Sequence, residues 1–162
     1  MELGPQKNLS DAPDVIDFLN IVEFQDAALL SYIHSGIIIP AYEAIKKDFG
    51  IIRGEYLLLV CLSHYKFLTA QEVSRLTGRP RNTISRAVNR MLKEGYLKRA
   101  PDPADGRQAK LSITKAGKKM HATLVRYLVN RQEVILTVLD NKERKQLRGI
   151  MQKLVKHSAT LR

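Results

Sequence analysis

The segment Arg79 to Thr114 constrains this chain most. A basic amphipathic stretch runs to Gly95, an alternating stretch Tyr96-Leu97-Lys98-Arg99 follows, then turn-forming Pro101-Asp102-Pro103-Ala104-Asp105-Gly106, then a second alternating stretch Leu111-Ser112-Ile113. Periods near 3.6 and then 2 predict a helix feeding a β-hairpin with a long tip. Just upstream, Thr69-Ala70-Gln71-Glu72 is a capping box that opens a short helix to about Leu76, and Gly78 punctuates the turn. Pro80 suits a first helical position because it has no amide to leave unpaired. The expected order is helix, short turn, helix, hairpin.

Charge gives that segment a direction. Between Arg79 and Lys110 nine basic residues stand against Glu94, Asp102 and Asp105, a local balance of +6 within a chain of net charge +11. Such a surface attracts phosphate. In the second helix Ile84, Val88, Met91 and Leu92 share one face, while Arg81, Asn82, Ser85, Arg86, Asn89 and Lys93 share the other. Short or planar polar groups near a helix start can approach base edges while basic groups hold phosphates. Arg79, Arg81, Asn82, Thr83, Ser85, Arg86 and Asn89 are candidates on the helix, and Arg99, Asp105, Arg107 and Lys110 on the hairpin. An Arg on a thin projection such as Arg107 can enter a minor groove, with Asp105 bracing the loop. Taken singly, a solvated helix face and a surface Asp–Arg pair in a turn explain these residues as well.

The flanks read as helices. From Asp14, an available N-cap, apolar residues recur at helical spacing through Ile37, predicting a long first helix. Pro40 is expected to kink or break it, and Gly50 to end the piece that follows. A buried helix from Gly54 or Glu55 to His64 comes next. Beyond Thr114 a helix carries Ala116, Met120, Leu124, Tyr127, Leu128, Val134, Ile135 and Val138, and a capping box at Asp140–Glu143 opens a last helix with Leu147, Ile150, Met151, Leu154 and Val155 turned inward. Residues 1–52 carry three bases against eight acids, whereas 111–162 carry twelve against three, so the two ends are electrostatically complementary.

Other classes fare poorly. A single cysteine, Cys61, rules out an internal disulfide and sits in an apolar run as a small hydrophobe. The start lacks a signal-peptide pattern, and no uninterrupted apolar run spans a bilayer, so a cytoplasmic protein without a membrane partner is expected. The four histidines are scattered, no metal-ligand spacing or Gly-rich phosphate loop occurs, and neither catalysis, a metal nor a cofactor is expected.

Asp105-Gly106-Arg107 through Leu111-Ser112-Ile113-Thr114 to Gly117 resembles the wing signature of the MarR family, the multiple antibiotic resistance regulators. Asn82-Thr83-Ile84-Ser85-Arg86 and Leu92 to Leu97 resemble that family's recognition helix and its exit. The resemblance implies a mainly α protein with a small β-hairpin wing. Its winged helix-turn-helix DNA-binding domain would span 51–113, and a helical dimerisation domain would be built from 11–50 and 114–160. It further implies a homodimeric transcriptional regulator, expected to be a repressor, on a palindromic operator in double-stranded DNA. Wing Arg and bracing Asp fall on Arg107 and Asp105. Pro80, Pro40 and Gly106 depart from the family pattern. A small aromatic or phenolic effector is also implied, with Tyr32, His34, Tyr42, Arg53, Tyr56 and Tyr65 near the expected site. For each of those six, a plain core or interface role is the alternative. A constitutive architectural DNA binder without effector is the main competing function, and a nucleic-acid-acting enzyme a more distant one.

Overall fold

The computed structural model describes residues 14–101 and 109–161. The chain divides into two compact units, Met1–Pro40 and Ala41–Arg162. In the first, α1 (Val15–Asn20) begins at Asp14, whose carboxylate accepts from the Ile16 amide at 3.0 Å. Instead of one long helix the chain breaks at residues 21–24 and restarts as α2 (Gln25–Ile33). Leu19 is buried, but Phe18, Ile21 and Phe24 are exposed. The apolar spacing was real, yet no core covers most of it.

Pro40 does not end the helical run. The turn His34–Ile38 before it is π-helical, and the Ile39 amide donates to the His34 carbonyl five residues back. Widening that turn moves the preceding carbonyls away from the proline ring, so the missing amide costs little continuity. The run passes directly into α3 (Ile39–Phe49), giving 25 uninterrupted helical residues, Gln25–Phe49, with a mean hydropathy of 1.3 over its most apolar stretch. By length and composition it could cross a bilayer, contrary to the sequence expectation, which divided it at Pro40.

The second unit is built around α4 (Arg53–His64), whose Leu58, Leu59 and Leu62 are buried on several sides. α4 packs against α6 (Arg81–Lys93), against α7 (Lys115–Leu136) and against the hairpin. Between them lies α5 (Ala70–Thr77), opened by the anticipated box: the Glu72 amide donates to Thr69 Oγ1 at 3.2 Å, and Glu72 Oε2 accepts from the Thr69 amide at 2.7 Å. Pro80 occupies the N-cap of α6, one residue earlier than expected. At the far end Gly95, with φ +72°, lets the Tyr96 amide reach Met91 O and its own amide reach Leu92 O, the paired bonds of a Schellman stop.

β1 (Leu97–Pro101) and β2 (Ala109–Ile113) are antiparallel, pairing Leu97 with Ile113 and Arg99 with Leu111. Leu68 joins as a one-residue third rung, its amide donating to Leu111 O at 3.2 Å and its carbonyl accepting from the Leu111 amide at 2.8 Å. No periodicity marks a single bridging residue, so sequence reading passed it over. The core collects Ile45, Leu58, Leu59, Val73, Ile84, Met91, Leu111 and Leu124 from helices and strand alike.

The terminal helices depart most from expectation. On α7, Leu124 is buried and Met120, Tyr127 and Leu128 pack against the core, but Val134 is exposed; Val138 lies past the helix end and is exposed too. α8 (Asn141–Ser158) has its Asp140–Glu143 box but no buried residue. Ile150, Met151, Leu154 and Val155, expected to face inward, are all exposed within the single chain.

Candidate nucleic-acid interface

The two faces of α6 separate as the pattern required. Ile84, Ala87, Val88 and Met91 are buried, while Arg81, Asn82, Ser85, Arg86 and Asn89 are exposed. Thr83 is half-buried, with its methyl group toward Gly54 of α4. The preceding turn is held by Ser74, whose hydroxyl donates to Arg79 O at 2.6 Å. Arg79 itself is half-buried, and Asn82 Oδ1 accepts from the Thr83 amide at 2.7 Å. The open face therefore starts at Arg81 and ends near Lys93.

Arg90 has a different job. Its Nη1 donates to Glu55 Oε1 at 3.0 Å and Oε2 at 3.1 Å, and its Nη2 donates to Gly50 O at 2.7 Å. Glu55 is 1% exposed and also accepts from the Ile52 amide at 2.9 Å. A buried carboxylate needs such partners. This ion pair fixes the exposed helix against α4, and nothing in the sequence pattern distinguished Arg90 from its basic neighbours.

On the hairpin, Arg99 is exposed and Lys110 half-buried. Arg99 lines a 230 Å³ cavity with Thr69, Ala70 and Gln71, and Lys110 a 460 Å³ cavity with Thr69, Gln71, Glu72 and Arg75. Both cavities sit where the start of α5 meets the strands. Gln71 and Arg75, which sequence reasoning left out, are thereby brought beside Arg99 and Lys110. Their signal was available, since both lie on the exposed side of α5. Asp105 and Arg107 lie outside the described residues.

Thr114 joins the hairpin to α7. Its hydroxyl donates to Gly95 O at 2.8 Å, and its oxygen accepts from the Gly117 amide at 3.1 Å. A Cβ on Gly117 would fall against Tyr96 O and 2.8 Å from Ile113 Cγ1. Only glycine fits there, which gives the Leu-Ser-Ile-Thr-x-x-Gly pattern its physical meaning.

The same arrangement recurs in known proteins. The profile of the MarR family matches residues 49–108, a span that includes α4, α5, α6 and β1 and ends before β2. Over that span the chain is similar to the MarR family. The chain is 25% identical over 126 residues to YybA of Bacillus subtilis, an uncharacterized HTH-type transcriptional regulator, covering 75% of this chain and 84% of that one. A MarR transcriptional regulator from Methanosarcina mazei superposes with a TM-score of 0.75 at 20% identity, over 87% of this chain and all of that one. MepR of S. aureus, solved as a DNA complex, superposes with a TM-score of 0.72 at 18% identity, over 83% and 99%. The chain thus has the winged helix fold of these transcriptional regulators, and its residues 49–108 match a family of regulators.

Of the six residues considered for an effector, Tyr42, Arg53 and Tyr56 come together. The Arg53 guanidinium lies 4.9 Å from the Tyr42 ring centroid, and the Tyr42 and Tyr56 rings are 5.9 Å apart. Burial, then the neighbouring Tyr42, pushes the Tyr56 hydroxyl above its ordinary pKa, so it remains a hydrogen-bond donor. Tyr65 is exposed at the other end of α4, nine residues and roughly 13 Å along the helix from Tyr56. Tyr32 and His34, in the first unit, are exposed.

Proposed function

We propose that this protein acts as a homodimeric repressor on a palindromic operator. The carrying observation is the division of α6, buried through Ile84, Val88 and Met91 and open through Arg81, Asn82, Ser85, Arg86 and Asn89. Two such helices would enter successive major grooves about 34 to 36 Å apart. Arg99, Lys110, Gln71 and Arg75 would hold backbone phosphates, and Arg107, braced by Asp105, would reach the adjacent minor groove. That MepR has been solved with DNA supports the docking by analogy of fold.

Dimerisation is supported by surface chemistry. Phe18, Ile21, Phe24, Leu30 and Ile33 near one end, and Ile150, Leu154 and Val155 near the other, leave more apolar surface open than an isolated soluble chain tolerates. The acidic first third and basic last third would meet in one assembly, with 11–50 and 114–160 forming the dimer and 51–113 binding DNA. The apolar face of Gln25–Phe49 is read as part of that seam, and the protein as cytoplasmic. Tyr42, Arg53 and Tyr56 supply aromatic walls and a cation for an aromatic carboxylate, whose binding would favour a spacing of the reading heads that does not match the operator.

Genomic footprinting of the purified protein, followed by affinity measurements on the recovered sites with and without a panel of aromatic carboxylates, tests this reading. Inverted-repeat sites bound as dimers, and released by a panel member, are expected. Equal binding to unrelated DNA with no ligand response would instead identify a constitutive architectural binder.

A further inference from the structure

Another polar cavity, of about 410 Å³, opens where the end of α4 meets β2 and the start of α7. Ser63, His64, Tyr65, Lys66, Ser112 and Lys118 line it, and no carboxylate does. Leu62, Phe67 and Ile113 complete the lining with apolar surface. Directly across the hairpin from Ser112 stands Lys98, which adds a further positive charge to the surroundings. None of these residues belongs to the open face of α6 or to the Tyr42–Arg53–Tyr56 cluster.

Ser63 Oγ donates to Val60 O at 2.8 Å and lies 3.3 Å from His121 Nε2. The hydroxyls of Tyr65 and Ser112, the ammonium groups of Lys66 and Lys118, and the His64 ring line the same opening, with Lys66 Nζ 5.5 Å from the Phe67 ring centroid. Behind them His64 and His121 stand edge to face, 6.3 Å between ring centroids. Burial first, and then the nearby His64, hold the His121 imidazole below its ordinary pKa.

We propose that this cavity binds a small phosphate-bearing molecule, with Lys66 and Lys118 as the charge partners and the Ser112 and Tyr65 hydroxyls as neutral donors. A tetrahedral dianion presents several acceptor oxygens, which suits convergent donors better than a single planar carboxylate does. The volume admits a compact phosphate monoester and is within the range of small-molecule sites. Held between Ser112 and Lys118, such a ligand bridges the hairpin's return strand and α7.

The test is a titration of the isotopically labelled full chain with inorganic phosphate and then phenyl phosphate, at constant ionic strength set by chloride. Saturable amide shifts at Lys66, Ser112 and Lys118 are expected, with at least a roughly tenfold weaker Kd in a Lys66→Met, Lys118→Met double variant. Both lysines are exposed, so the double variant should melt as the wild type does; Lys118→Arg should restore most of the affinity. Arg86→Ala serves as the control for phosphate held on the α6 face and should leave this Kd unchanged. Shifts confined to Arg81–Lys93, or a double variant with wild-type Kd, would overturn the proposal without touching the DNA-binding assignment.

Discussion

Arg90 and Glu55 lie 35 residues apart and meet at 3.0 Å, with the carboxylate buried and the guanidinium half open. The pair clamps α6 to the start of α4, so the helix that presents Arg81, Asn82, Ser85 and Arg86 is positioned by a charge its own pattern does not single out. Arg90→Met leaves a buried carboxylate that keeps the Ile52 amide as a donor but loses both guanidinium bonds. A loss of about 2 kcal/mol is expected, below the range for fully buried pairs because Arg90 is partly solvated. Glu55→Gln should cost less, since its amide oxygen still accepts. Urea midpoints of both variants decide the matter; equal small losses would mean the clamp contributes little.

Gly117→Ala should destabilise by about 1 to 3 kcal/mol, because the added methyl has backbone on one side and Ile113 on the other. The clash lies where the hairpin meets α7, so operator affinity should fall further than unfolding alone explains. Thermal melting and DNA titration of the same preparation separate the two effects.

Substituting Arg86 or Asn82 by Ala should change the preference among operator variants by about 1 to 3 kcal/mol wherever the side chain touches a base edge. Lys110→Ala should weaken all sequences alike and shallow the salt dependence, as loss of a phosphate contact does. Competition binding over a mutated operator panel distinguishes these patterns. A uniform loss in the Arg86 and Asn82 variants would reassign both to the backbone.

His121 makes stability depend on pH. Its folded pKa lies below the ordinary value of 6.5, so on acidification the unfolded chain takes up the proton first. Stability from this group is full above about 6.5 and declines as pH falls toward the lower folded value. His121→Asn should flatten that part of the profile. Urea midpoints from about pH 8 to about pH 5 measure it, and an unchanged slope would place the titration elsewhere.

Leu154→Glu puts a charge on the uncovered side of α8. Its side chain is exposed in the single chain, so the fold should survive. Sedimentation at about micromolar concentration should then show a monomer where the proposed function predicts a dimer for the unsubstituted chain, with operator affinity reduced accordingly. A dimeric Leu154→Glu protein would remove α8 from the interface.

Local chemistry made much of this protein legible before any coordinates. The Thr69–Glu72 and Asp140–Glu143 boxes, the Gly95 stop, the two-faced α6 and the alternating strands depend on neighbours a few residues away, and such rules are written in the chain itself. Pairings across long separations are not. Leu68 with Leu111, Glu55 with Arg90 and Ser63 with His121 arise only when α4, α6, α7 and the hairpin pack together, because tertiary packing chooses among many equally basic or polar partners. Pro40 belongs with these, since whether proline breaks a helix depends on whether the preceding turn can widen. The inward-facing reading of α8 failed for a related reason. An apolar stripe shows that a helix face wants cover, but periodicity does not say whether the same chain supplies it; folding left Ile150, Leu154 and Val155 uncovered.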